Sequence, residues 1–169
     1  MRCPWCDEDN LPGADQCSNC CLDLSSLDRP TAHDRVQRSL MDDPVEVLPR
    51  QPPITMRPEA SVREAITMLV RHGIGAILIV DVQGLLVGIF TERDVLLKLD
   101  FGRGDEDRPV SEFMTRRPEM IRESDSLALA LHRMDCGDYR HLPIVRQGQL
   151  LGVLSIRDLL QYVTGICRG

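Results

Sequence analysis

An α+β fold of two βαββα units in tandem, closed into one pseudo-two-fold module and preceded by a small four-cysteine ribbon, is predicted by this sequence of 169 residues. Three observations predict it. The phrase GIFTERDVL at Gly88–Leu96 returns as GVLSIRDLL at Gly152–Leu160. Laid on each other at a constant offset of 64, Gly73–Leu96 and Gly137–Leu160 share nine identities in 24 positions, which duplication explains most economically. Five of the seven cysteines fall within the first 24 residues, four of them as two CxxC pairs.

The elements follow in order. Residues 1–24 form the ribbon and 25–44 a polar linker closed by Pro30 and Pro44, in which Asp34 caps a short helix through Met41. The first repeat covers 45–104. Its first strand is Ile54 to Met56, and Ser61 with Glu64 three residues on writes a capping box before a helix. Val62, Ala65, Ile66, Leu69 and Val70 then recur at the spacing of one buried helical face. AILIV and LLVGIF are strands around a turn at Gln83 and Gly84, and a second helix starts at Thr91.

The second repeat, 105–169, runs in the same order: a strand at Glu119 to Ile121, a helix burying Leu127, Ala130, Leu131 and Met134, strands HLPIV and LLGVL, and a helix from Ser155 to about Val163. Pro143 has no N–H to give a ladder, so one side of HLPIV is expected to be unpaired there. Either unit alone holds too little core, and two packed together share one.

Composition narrows the function classes. The longest apolar stretch, Ile74 to Phe90, is broken by Asp81, Gln83 and Gly84, so no membrane span is expected. No apolar run follows Arg2, which argues against a secretory signal and for a cytoplasmic protein with reduced thiols. Net charge is -6, with two arginines against six acids in residues 1–29, which disfavours nucleic acid as a partner.

Cys3-x2-Cys6 and Cys17-x2-Cys20 bring four sulfurs to one tetrahedral site, the spacing of structural zinc in a reduced compartment. So short a segment has almost no core, and metal binding supplies its folding energy. The pattern resembles a short zinc ribbon. It departs in its second knuckle, where Cys21 stands in the place usual for glycine, and Asp7 follows Cys6; the missing glycines argue against redox iron of the rubredoxin type. Cys21 is either a spare thiol or a substitute ligand. Cys136 and Cys167 read most simply as lone apolar residues, and His33, His72 and His132 as structural.

Thr91-x-x-Asp94 and Ser155-x-x-Asp158 stand where a strand passes into a helix, and each is first of all a capping box. Gly88 and Gly152 precede the hydroxyls at equal distance, and Arg93 and Arg157 recur beside the carboxylates, which no cap requires. Such a turn offers backbone N–H groups to phosphate and a carboxylate to a ribose diol.

With PVSEFMT opening the second copy and YRHLPIV at Tyr139–Val145, these phrases resemble the CBS (cystathionine β-synthase) domain pair, or Bateman module, from Val45 to about Val163. The resemblance implies a cleft between the repeats that binds AMP, ADP, ATP or S-adenosylmethionine. Asp94 and Asp158 then hold ribose hydroxyls, Thr91 and Ser155 contact ribose or phosphate, and adenine lies near Ile54 and Ile121. Arg140 and His141, with Arg157, are the phosphate candidates; otherwise Arg140 is a solvated arginine and His141 a strand histidine. The first copy has Ala76 and Ile77 where the second has Arg140 and His141, so unequal occupancy is expected.

The module resembled also commonly forms homodimers. The expected function is a nucleotide sensor that signals to a separate protein, with the acidic ribbon meeting a protein partner. The alternative is a dimerisation and interaction scaffold whose turns are only helix caps. Catalysis is not expected: the sequence shows no Ser-His-Asp set, no P-loop and no metal site with an open position.

Overall fold

The structure, a computed structural model, describes residues 2–11, 14–24, 34–50 and 52–168. Most of the predicted linker, His33 included, lies outside the described residues. The chain divides into two compact units, Met1–Asp34 and Arg35–Gly169.

The smaller unit is built on two like knuckles. Arg2 bridges Asp9 and Gln16 bridges Asp23 in antiparallel fashion. The N–H of Asp7 donates to the Cys3 carbonyl, and that of Cys21 to the Cys17 carbonyl, each at 3.0 Å. Asp7 and Cys21 both have φ of 58°, the left-handed conformation that favours glycine, which is why glycine is usual at this step. Its buried apolar groups are Cys3, Cys17 and Leu24.

The larger unit carries five helices and two sheets among the described residues. Helix α1 spans Arg35–Asp42. The first repeat follows with β1 (Thr55–Met56), α2 (Val62–His72), β2 (Ala76–Val80), β3 (Leu86–Thr91) and α3 (Glu92–Lys98). After a run of 3-10 turns come β4 (Thr115–Arg116), β5 (Ile121–Arg122), α4 (Leu127–Gly137), β6 (His141–Arg146), β7 (Gln149–Ser155) and α5 (Ile156–Arg168). The order is the predicted βαββα twice, and the Ser61–Glu64 capping box forms in full. No helix among the described residues is long and apolar enough to cross a membrane.

One sheet has the order β1-β2-β3-β4 and the other β5-β6-β7. The hairpins are antiparallel and the leading strands β1 and β5 parallel to their neighbours. The β2–β3 turn is set by Asp81, whose Oδ1 accepts the N–H groups of Gln83 and Leu85 at 2.9 Å, with Gly84 at φ 82°. Pro143 sits in a central strand without conflict, because β5 meets β6 only at Ile144 and Val145. Leu78 and Ile89 of the first sheet pack against Leu150 and Val153 of the second, joining the repeats.

Two crossing segments give the unit an order the sequence does not show. Val45 and Leu48, ahead of β1, are buried in the second repeat's core with Ile121, Leu127, Leu142 and Leu154. Val110, Phe113 and Met114, ahead of β5, are buried in the first repeat's core with Val62, Ile77 and Phe90. Strand β4 then pairs with β3, and Gly88 leaves room there: a Cβ on it would press on the Met114 side chain and lie 3.1 Å from the Thr115 carbonyl. Each crossing is fastened by the same position of a terminal helix. Lys98 donates to the Phe113 carbonyl at 2.8 Å, and its counterpart Tyr162 hydrogen-bonds Ser39 at 2.8 Å and Asp43.

Candidate ligand cleft and metal centre

Both strand-to-helix turns form the same cap. The Asp94 Oδ2 accepts from the Thr91 N–H at 2.8 Å and the Thr91 hydroxyl at 2.7 Å, while the Asp94 N–H donates back to Thr91 Oγ1 at 3.4 Å. Ser155 and Asp158 repeat this at 2.8, 2.6 and 3.3 Å. Local sequence therefore decides the turn; the surroundings make the two copies different. Asp94 is only 5% exposed, and its Oδ1 pairs with Lys98 at 2.5 Å. Asp158 is half-buried and has Tyr162 in the place of Lys98.

The first turn opens onto a cavity of about 550 Å³, within the usual size of a small-molecule site. Thr91, Arg93 and Asp94 line it from the first repeat, and Arg140 and His141 from the second. The first turn is thus completed by the other repeat, a pairing that sequence alone leaves open. Arg93 joins the two: it pairs with Asp138 Oδ2 at 2.6 Å and donates to the Asp138 carbonyl at 3.0 Å. This arginine holds the Asp138 carboxyl below its usual value.

The cavity gathers five of the ten predicted ligand residues. Ser155, Arg157 and Asp158 belong to the other turn and do not line it. Nor do Ile54 and Ile121. Ile121 is 0% exposed in the second core, and half-buried Ile54 packs on the first core. The apolar wall comes instead from Ile89, Leu96, Leu97, Pro118 and Tyr139. Sequence reading also missed Lys98, Thr115, Glu119 and Asp138. Only Asp138 carries a signal, as a helix-ending residue after Gly137 with φ of 52°.

His141 lies against Gly75 of the first repeat, where a Cβ would meet its Nε2 at 2.5 Å. Burial pushes its pKa below the usual value; Glu92 and Asp158 oppose the shift, Arg157 and Arg140 add to it. An unfolded histidine takes up its proton at about 6.5, and folded His141 only at lower pH. The unfolded chain then holds more protons, so stability falls as pH drops below about 6.5 toward the folded value. His141→Gln is expected to flatten that limb of the urea midpoint against pH; an unchanged limb would assign it to other groups.

The four ribbon sulfurs of Cys3, Cys6, Cys17 and Cys20 lie within 4.8 Å of one another, with Cys3–Cys20 and Cys6–Cys17 at 3.6 Å. Tetrahedral zinc with bonds of about 2.3 Å needs sulfurs about 3.8 Å apart, so the residues fit that ion. Hydrogen bonding from the Cys20 N–H, aided by Asn19 and Asn10, draws the Cys17 thiol down to about 6. The Leu22 N–H favours the Cys20 thiolate, yet burial and the three neighbouring sulfurs push it up to about 12. Cys21 is exposed and outside the cluster, which supports the spare-thiol alternative. Cys136 and Cys167 are exposed as well, so the expectation of lone apolar residues fails for both. The reason is position: Cys136 is on the outer face of α4, 3.7 Å from His132.

Comparison with known proteins bears on the larger unit. The family model for the CBS domain matches residues 43–100 and 110–165, about two thirds of the chain. The CBS domain-containing protein YhcV of Bacillus subtilis is 36% identical over 110 residues, covering 62% of this chain and 74% of that protein. A 17.7 kDa protein of Acidianus ambivalens is 37% identical over 105 residues, with 62% and 63% covered. The chain thus spans less than two thirds of that relative, and only 20% of an Arabidopsis thaliana CBS domain-containing protein that is 34% identical.

Among solved structures, a CBS domain protein from Pyrobaculum aerophilum complexed with AMP has a TM-score of 0.64 at 27% identity. It covers 72% of this chain and 98% of its own. A CBS domain pair in complex with 5-methylthioadenosine and S-adenosyl-L-methionine has a TM-score of 0.65 at 26% identity, covering 73% and 97%.

Proposed function

This chain belongs to the CBS domain family, and from that premise we propose that its repeats form a regulatory module that binds an adenosine-containing ligand beside Asp94 and signals to a separate protein. The cross-repeat cavity carries this reading: a carboxylate-bearing turn of one repeat and a basic pair of the other line a single space. That similar structures hold AMP, 5-methylthioadenosine and S-adenosylmethionine supports it. Asp94 accepts ribose hydroxyls, Thr91 contacts ribose or phosphate, Arg140 and His141 meet the 5′ end, and adenine rests on the apolar wall. Ser155, Arg157 and Asp158 form the weaker site. The counterparts of Arg140 and His141 are Ala76 and Ile77, buried in the sheet, and the counterpart of Asp138 is Ile74.

Zinc held by four thiolates serves structure, since no ligand position stays open for water. Such a site suits a reducing, cytoplasmic setting. Leu160, exposed on α5, offers apolar surface to a second copy, and Trp5, 81% exposed, offers it to a partner of the ribbon.

Thermal unfolding of the zinc-loaded protein with AMP or S-adenosylmethionine tests the reading. Ligand at about 100 times its dissociation constant adds about 2.7 kcal/mol, on the order of 5 to 10 °C at this size. Calorimetry should count one strong site per chain. Asp94→Ala is expected to abolish the ligand-induced shift and Asp158→Ala to keep most of it, each judged against its own unliganded melting because both lose a cap. No shift with either ligand would favour the scaffold reading, in which the observed capping boxes are the whole role of these turns.

A further inference from the structure

We infer that the cleft selects adenosine ligands with at most one phosphate and turns away the di- and triphosphates. The inference rests on the nucleotide reading above and concerns only the 5′ end of the ligand.

It follows from which charges in the cavity are already spent. Three cations line it, and two are closed on carboxylates: Arg93 on Asp138 at 2.6 Å and Lys98 on Asp94 at 2.5 Å. Lys98 also donates to the Phe113 carbonyl at 2.8 Å and to Thr115 Oγ1 at 3.4 Å, which uses its remaining donors. Glu119, on the same wall, pairs with Arg133 at 3.6 Å. Arg140 and Glu92 remain as the lining charges without an ion pair among the described residues. Burial pushes the His141 pKa below its usual value.

One cation and one carboxylate thus line the cavity without an ion pair among the described residues. A monophosphate carries nearly two negative charges at pH 7, and Arg140 with the imidazole can receive it. Each further phosphate adds charge in a cavity already lined by Glu92, Asp94, Glu119 and Asp138. To meet it, the protein must open Arg93–Asp138 or Lys98–Asp94, and the freed carboxylate then faces the phosphate. The backbone does not make up the difference: α3 has only seven residues, and the Asp94 N–H is taken by Thr91.

Isothermal titration of the zinc-loaded full chain with adenosine, AMP, ADP and ATP decides it, at fixed ionic strength and without Mg²⁺, which would neutralise the polyphosphates. AMP is expected to bind at least tenfold tighter than ATP, with ADP between. Glu92→Gln should narrow the AMP-to-ATP ratio severalfold, and Arg140→Gln should bring the affinity for AMP close to that for adenosine. ATP binding as tightly as AMP, or a ratio that neither substitution moves, would overturn the inference. Silence of all four ligands, and of S-adenosylmethionine in the same titration, is a different failure, since it would overturn the adenosine-ligand reading itself.

Discussion

Stripping zinc from the ribbon, by chelation or by Cys17→Ser, is expected to unfold residues 2–24 and leave the melting of the CBS pair unchanged. Among the described residues, the buried apolar groups of the smaller unit are Cys3, Cys17 and Leu24, far too few to offset the entropy of ordering some twenty residues. Structural zinc in such small units contributes an apparent free energy of about 10 to 16 kcal/mol, which is effectively all of their stability. The readout is metal content together with amide NMR spectra of the full chain. Ribbon resonances should collapse to random-coil positions as one equivalent of zinc leaves. Dispersed ribbon resonances in a metal-free protein would show that the fold does not depend on the ion.

Cutting the larger unit between its repeats should be nearly as severe. A fragment of residues 105–169 contains every element of the second repeat, yet it lacks Val45 and Leu48, which are 0% and 3% exposed in that repeat's core. It also leaves Val110, Phe113 and Met114 with no core to enter. Burying each such side chain is worth roughly 1.5 to 3 kcal/mol, so the five together match the whole stability of an ordinary domain. Circular dichroism should show 35–169 melting cooperatively and 105–169 without a transition. Within the intact chain, Phe113→Ala is expected to cost about 3 to 5 kcal/mol in urea unfolding, as a large cavity would. Cooperative folding of 105–169 alone would show the crossing segment to be dispensable.

These two outcomes mark different kinds of legibility. The clustering of the ribbon's four sulfurs could be read from spacing because two residues between cysteines is a local geometric demand, met within one knuckle. The capping boxes at Thr91 and Ser155 were readable for the same reason, since a side chain three residues from its partner needs no distant support. The crossing segments were not readable. Val45 and Val110 are ordinary apolar residues beside prolines, and nothing in their periodicity says which repeat will bury them. The burial of Ile121 was misjudged similarly: strand alternation shows that one face turns inward, but not whether inward means the core or a cleft.

The sequence by itself determined the duplicated βαββα order, the strand-to-helix turns, and the four-sulfur site. Each follows from interactions among residues close in the chain, or from a pattern that repeats. The tertiary structure alone decided that the Asp94 turn faces Arg140 and His141 of the opposite repeat, and that Lys98 closes on Asp94 where Tyr162 reaches for Asp43. It also decided that each leading segment fills its neighbour's core. The physical reason is that burial is non-directional and depends on total apolar area removed from water. Two similar halves can meet that demand by many local routes, and only their packing against each other selects one and gives the two strand-to-helix turns different surroundings.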